Sequence, residues 1–265
     1  MGLYNNRIVV KVGTSTLTND AGKSDLRTTD RLACVLSDIQ NMGYEVVLVS
    51  SGAIAVGRNK LNMTAKPDSM RMKQAAAAVG QCSLMYLYDK FFGDYDKTVA
   101  QILLNADDIE EEEKKENLIN TFNALLEMGV IPIVNENDSV SYKEIESEDR
   151  LFGDNDMLSA VVAVLCRAKH LVIFSDIDGF YDHDPRLYPN AQLIDQIDTI
   201  DDSVYALAGG AGSRRGTGGM RTKLQAASLA NSQGTNTIVT NGKRPEVLYD
   251  IVKGGRAGTL FPGKI

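Results

Sequence analysis

The sequence predicts an α/β fold, a three-layer αβα sandwich around a mainly parallel sheet. Three observations carry this reading. Short β-branched apolar runs recur at Ile8–Val12, Val46–Ser50, Val99–Leu104, Val130–Val134, Leu171–Ser175 and Thr237–Thr240. Stretches of helical period separate most of them. The runs are mostly continuous rather than alternating, as expected of strands buried on both faces. Strands that alternate with helices need crossover connections, which make neighbours parallel and cover the sheet on both sides.

Taken in order, the first run leads into a helix whose apolar face is Leu32, Val35, Leu36 and Ile39. The acidic run Asp107–Glu116 reads as the solvated first turns of a helix carrying Leu118, Phe122, Leu125 and Leu126. The stretch Ser139–Phe152 alternates weakly and is expected to be a hairpin or a mobile loop. A strongly apolar helix follows Asp154, Asn155 and Asp156, where an Asn or Asp is the ordinary capping residue. No repeat, linker or low-complexity tract divides the chain, so residues 1–265 are expected to form a single domain.

Composition narrows the functional classes. The 265 residues are 43% hydrophobic and 24% charged, enough for a substantial core, and the formal net charge is −7. A broad affinity for nucleic acid or an anionic membrane needs a basic face, so neither partner is expected. The N-terminus has no secretory pattern, and the longest apolar run, Met157–Cys166, is about half of what spans a bilayer. Cys34, Cys82 and Cys166 have no metal-type spacing and are expected to be buried free thiols, which points to the cytoplasm. With only His170 and His183, a multi-histidine metal site is excluded, and His183 lies in a turn-rich, solvent-facing segment.

Charge is also segregated along the chain. Between Ser203 and Arg244 there is no Asp or Glu, yet Arg214, Arg215, Arg221, Lys223, Lys243 and Arg244 all occur; Glu136–Asp156 carries eight carboxylates. A basic, glycine-rich segment inside an acidic protein suits a concentrated anion such as a polyphosphate. Three glycine-rich segments fit that purpose. In KVGTSTLT, Lys11 ends a strand and Gly13 opens the turn. In SSGAIAVG, Ser51 and Gly52 lie where an open α/β sheet binds ligands, with capping of the next helix as the alternative role for Ser51. In GTGGMRTKLQAA, Lys223 falls near the start of a helix, where a cation opposes the helix dipole unless an anion is bound. No Walker A loop, dinucleotide fingerprint or protein-kinase element is present; Gly22-Lys23-Ser24 lacks its required glycine, having Leu17 there.

Two lysines with glycine amides can hold a nucleotide's phosphates and the charge that builds during phosphoryl transfer. A carboxylate acceptor is ionised at neutral pH and needs no base, which leaves Asp156 free to organise the lysine ammonium groups.

The strings KVGTSTLT, SSGAIAVG, NENDSV, FGDNDMLSA, SDIDGFY and GTGGMRTKLQAA, in this order, resemble the amino acid kinase family, above all its glutamate-phosphorylating members. The resemblance implies the amino acid kinase fold and ATP-dependent phosphorylation of the side-chain carboxylate of L-glutamate, the first step of proline biosynthesis. It assigns Lys11 and Lys223 to the transferring phosphoryl group, oriented by Asp156. Ser51, Gly52, Asp138 and Asn155 would hold glutamate, with Asp138 paired to its amino group. Lys11, Gly13, Ser175 and Asp176 would contact ATP, and Thr217, Gly218, Gly219, Met220, Arg221, Thr222 and Lys223 would wrap its phosphates. Mg²⁺ would be held mainly by phosphate oxygens, with no dedicated metal site in the chain. The resemblance further implies a homodimer or homotetramer, proline as a feedback inhibitor and contact with the next enzyme of the pathway. A C-terminal PUA domain, common in the family, is not expected here. A kinase for aspartate or acetylglutamate and a non-catalytic amino acid or nucleotide sensor are the alternatives.

Overall fold

Parallel order sets the architecture. In the computed structural model, which describes residues 2–19, 23–140, 155–208 and 219–264, seven strands form one sheet in the order β3-β4-β2-β1-β5-β6-β7. They are β1 (Tyr4–Val12), β2 (Glu45–Ser50), β3 (Val99–Leu104), β4 (Ile131–Glu136), β5 (Ala168–Ser175), β6 (Asn236–Asn241) and β7 (Thr259–Phe261). The first six pair in parallel, and β7 closes the edge antiparallel to β6. All six expected strands are present. β1 extends back to Tyr4, with Tyr4–Asn6 exposed. β7 was not anticipated, because three residues, TLF, are too short to show a period.

The helices are α1 (Thr14–Leu17), α2 (Leu26–Asn41), α3 (Ala53–Lys60), α4 (Met70–Gly93), α5 (Asp107–Glu110), α6 (Glu112–Glu127), α7 (Asn155–Leu165), α8 (Asp202–Leu207), α9 (Met220–Ser232) and α10 (Val247–Val252). The acidic run splits into two helices rather than one, because Glu111 takes an extended conformation between α5 and α6. The expected hairpin or loop at Ser139–Phe152 lies outside the described residues from position 141 onward. The cysteines do not share one environment: Cys166 is buried, Cys34 half-buried and Cys82 exposed. The apolar context that suggested burial of Cys82 belongs to one face of α4, and Cys82 lies off that face.

The two helical layers can be read from strand parity. Val9, Val47, Val49, Leu171, Ile173 and Val239 point to a core shared with α6, α7 and α9. Ile8, Val10, Val12, Val46, Leu48, Val172 and Phe174 point to the opposite core, with α2, α3, α4 and α10. Side chains alternate across a strand, so Lys11 falls on the same face as Val9, toward α7 and α9. This parity decides where the lysine ends up.

In the second layer, α3 and α4 press together backbone to backbone. A Cβ at Gly80 would lie 1.8 Å from the Ala53 carbonyl oxygen, and one at Gly57 would lie 1.8 Å from that of Ala76. Neither neighbour is a flexible side-chain end, so the helices themselves would have to separate. Gly80→Ala is therefore expected to destabilise the fold by about 3 kcal/mol or more, at the upper end of overpacking costs. Urea unfolding checks this; an unchanged midpoint would show that the helices separate without cost.

Candidate active site

Six parallel strands place their carboxyl ends along one edge of the sheet, the usual position of ligands in open α/β folds. The chain runs from β1 outward to β2, β3 and β4, then returns over α7 to β5 on the other side of β1. The order therefore reverses at β1, and the end of β1 carries Lys11.

Three ionised side chains converge there. Lys11 Nζ lies 2.6 Å from Asp156 Oδ1, and Lys223 Nζ donates to Asp156 Oδ2 at 3.0 Å. Asp156 is fully buried, and the side chains of Lys11 and Lys223 are 7% and 8% exposed. The Thr222 hydroxyl sits 3.0 Å from Asp156 Oδ2 and 2.9 Å from the Gly219 carbonyl. Burial alone would raise the Asp156 pKa; the opposing charges and hydrogen bonds of Lys11 and Lys223 outweigh it and hold the carboxyl below the usual carboxylate range. The expected conflict between Lys223 and the α9 dipole is met within the chain, since Asp156 supplies the anion. Two ammonium groups against one carboxylate still leave the triad at +1, which favours a further anion at this spot.

The surrounding turns leave room for one. Gly13 caps α1 without a side-chain bond, and a Cβ there would stand 3.5 Å from Lys11 Nζ. Gly219 caps α9 and likewise makes no side-chain cap bond. Met220 packs partly into the core, and Arg221 lies over the Tyr205 ring, 5.6 Å from its centre. Thr217 and Gly218 lie outside the described residues. Ser175 ends β5 and Asp176 follows it: the first is buried, the second exposed, with the Ser175 hydroxyl 3.3 Å from the Asp176 carboxylate.

On the other side of β1 the groups are neutral apart from the Asp138 carboxylate. Ser51 does not cap α3; its hydroxyl donates to the Val12 carbonyl at 2.9 Å, and Gly52 takes the capping position at φ 94°, a left-handed conformation that glycine tolerates. Asn155 donates from Nδ2 to the Ser50 carbonyl at 2.8 Å and to Asn135 Oδ1 at 3.0 Å. Asn135 in turn donates to Gln81 Oε1 at 2.9 Å. The Ser50 and Tyr88 hydroxyls lie 2.8 Å apart. Asp138 is half-buried in the turn after β4. Sequence reasoning missed Gln81 and Tyr88, and it gave no role to Ser50, the first residue of SSGAIAVG. Gln81 was the readable signal, a polar residue three and seven positions before the buried Leu84 and Tyr88 of α4.

Fold and site together define a phosphoryl-handling α/β protein, and the chain belongs to the amino acid kinase family, whose model matches residues 6–241. The glutamate 5-kinase of Clostridium perfringens is 55% identical over 258 residues, covering 97% of this chain and 96% of its own. The glutamate 5-kinases of Listeria innocua and Enterococcus faecalis are 50% and 49% identical, covering 93% and 94% of their own lengths. Among solved structures, the UMP kinase of Bacillus anthracis aligns with a TM-score of 0.65 at 14% identity, covering 98% of this chain and 97% of its own. The carbamate kinase of Giardia lamblia aligns with a TM-score of 0.67 at 15% identity, covering 98% of each chain. These two carry the shared fold.

Asp156→Asn leaves two buried ammonium groups without their carboxylate. It should cost about 3–5 kcal/mol at pH 7, the usual penalty for breaking a buried ion pair. A depressed folded pKa contributes stability above the unfolded value of about 3.9 and loses it as pH falls through the folded value. The difference between the native chain and the variant should therefore shrink below about pH 4. Denaturant unfolding at several pH values measures it, and a constant difference would remove the ion pair as its cause.

Proposed function

We infer that this chain transfers the γ-phosphoryl group of ATP to the side-chain carboxylate of L-glutamate, giving L-glutamyl 5-phosphate, the first step of proline biosynthesis. The observation that carries the reading is Asp156 held between Lys11 and Lys223 at the reversal point of the sheet. The near full-length identity to glutamate 5-kinases supplies the acceptor.

The chemistry follows from the charges. A glutamate carboxylate oxygen forms a bond to the γ-phosphorus while the bond to the β–γ bridging oxygen breaks, and ADP leaves with that electron pair. The acceptor is already ionised, so no proton has to be removed. Lys11 and Lys223 offset the charge on the transferring group and the leaving oxygen, where buried donors count most. Asp156 fixes both ammonium groups before the reaction, so little reorganisation is needed. Both Asp156 oxygens are engaged by the lysines, so Mg²⁺ would be held mainly by phosphate oxygens and would supply charge neutralisation there.

Gly13, Ser175, Asp176 and the segment from Thr217 to Lys223 form the ATP side; Ser51, Gly52, Asp138 and Asn155 form the glutamate side. We place the protein in the cytoplasm as a homodimer or homotetramer, with proline as its feedback inhibitor and the next pathway enzyme as a contact. No helix among the described residues is long and apolar enough to cross a membrane.

Coupled ADP release from MgATP with glutamate, aspartate or acetylglutamate tests the assignment, each run with and without proline. Turnover is expected with glutamate and suppression with proline. Turnover with another acceptor would overturn the pocket assignment, and none at all would favour a sensor. Lys223→Ala should lower kcat by about a hundredfold or more, the scale of a lost transition-state donor, with circular dichroism unchanged. Near-normal turnover would remove Lys223 from the mechanism.

A further inference from the structure

Gln81 belongs to α4, outside every glycine loop and strand end that forms the site, yet it terminates a hydrogen-bond chain that begins at the substrate side. Its direction is fixed by one group. The Ser50 backbone carbonyl can only accept, so the atom of Asn155 facing it at 2.8 Å must be the amide nitrogen. That nitrogen has two hydrogens, and the second goes to Asn135 Oδ1 at 3.0 Å. Asn135 must then present its own nitrogen to the next acceptor, Gln81 Oε1, at 2.9 Å. Both Asn155 amide hydrogens are thus taken by protein acceptors, and what Asn155 offers a ligand is its carbonyl oxygen, an acceptor.

The three amides hold one another in position. Asn135 is 2% exposed, and an amide that deeply buried is costly to leave unpaired. Gln81 is itself held: it shares the inward face of α4 with the buried Leu84 and Tyr88, and Tyr88 is anchored to Ser50. Without the Gln81 acceptor, Asn135 can rotate to find another partner. Rotation would turn its nitrogen toward Asn155 and compete with the Asn155 orientation set by Ser50.

We propose that Gln81 is a positioning residue for amino acid recognition: acting through Asn135, it keeps the Asn155 carbonyl oxygen toward the α-ammonium of the acceptor. This rests on the reading of Asn155 as part of the glutamate side. It makes the site selective for acceptors that carry a free ammonium, because an acetylated nitrogen or a missing one leaves that oxygen unpaired.

The test is steady-state kinetics of the full chain and of Gln81→Leu and Gln81→Glu, with glutamate and MgATP varied separately. Glutarate, which lacks the ammonium, serves as a competing ligand. Gln81→Leu should raise the KM for glutamate about tenfold, the effect of one hydrogen bond to a charged group, with kcat and the KM for ATP close to the native values. The inhibition constant of glutarate should stay where it was. Gln81→Glu still accepts from Asn135 and should restore most of the affinity. A glutamate KM within twofold of native in Gln81→Leu would overturn the proposal, as would an equal loss for glutarate or a failed rescue by Gln81→Glu. The same variants are compared by glutamate-induced thermal shift, which reads binding without turnover. If the native chain binds glutamate but releases no ADP, the functional reading fails while the shift still decides on Gln81. If it turns over acetylglutamate and not glutamate, the ammonium-directed role fails.

Discussion

A single carboxylate shared by two buried ammonium groups governs the geometry of this protein. Asp156 enters from the first turn of α7, Lys11 from the end of β1 and Lys223 from the first turns of α9. These elements are remote in sequence, so the contact forms only when the whole crossover order is in place. Strand parity turns Lys11 toward the layer that contains α7 and α9. An even-numbered position in β1 would have sent it into the opposite apolar core with Val10 and Val12.

The same contact solves a chemical difficulty. The acceptor is itself a carboxylate, and two unpartnered lysines beside it would bind it tightly in the ground state. Such binding would draw off the electron density that the attacking oxygen needs and would stabilise the substrate as much as the transition state. With Asp156 already satisfying one face of each ammonium, the remaining +1 is modest, and in the proposed reaction it would meet charge that develops as the phosphoryl group moves. The amides of Asn155, Asn135 and Gln81 carry no formal charge, so in the proposed role they would orient the amino acid without adding positive charge near its carboxylate.

Much of this was legible in the sequence, for physical reasons. Strands buried on both faces are nearly unbroken apolar runs, so β2, β3 and β5 could be read within a few residues of their bounds. The glycine loops and charge segregation drew attention to Lys11 and Lys223, and the fold brings these two lysines to one carboxylate. What could not be read depended on long-range placement. The TLF strand carries no period and exists because β6 offers an edge. Lys223 looked like a helix-dipole conflict awaiting a ligand, and only the fold shows that Asp156, 67 positions away, answers it. Ser51 looked as much like a cap as a site residue until its hydroxyl was found on the Val12 carbonyl. Gln81 is the clearest case: a polar residue on an inward helical face is visible, but its partner comes from a strand 54 positions on.

The two halves of the site are therefore held by different means, and this has a consequence for how they fail. The charged half is stiff because each ammonium is tied to one rigid carboxylate, and disturbing it exposes buried charge. The amide half is fixed by polarity alone, from the Ser50 carbonyl outward through three side chains. Polarity can be reversed at little cost in packing, since an amide occupies the same volume either way round. The Ser50 carbonyl is what forbids the reversal, because it can only accept, and Gln81 of α4 supplies the acceptor at the far end of the chain. A helix outside the lysine cluster thus closes a chain whose sense is set at the end of β2.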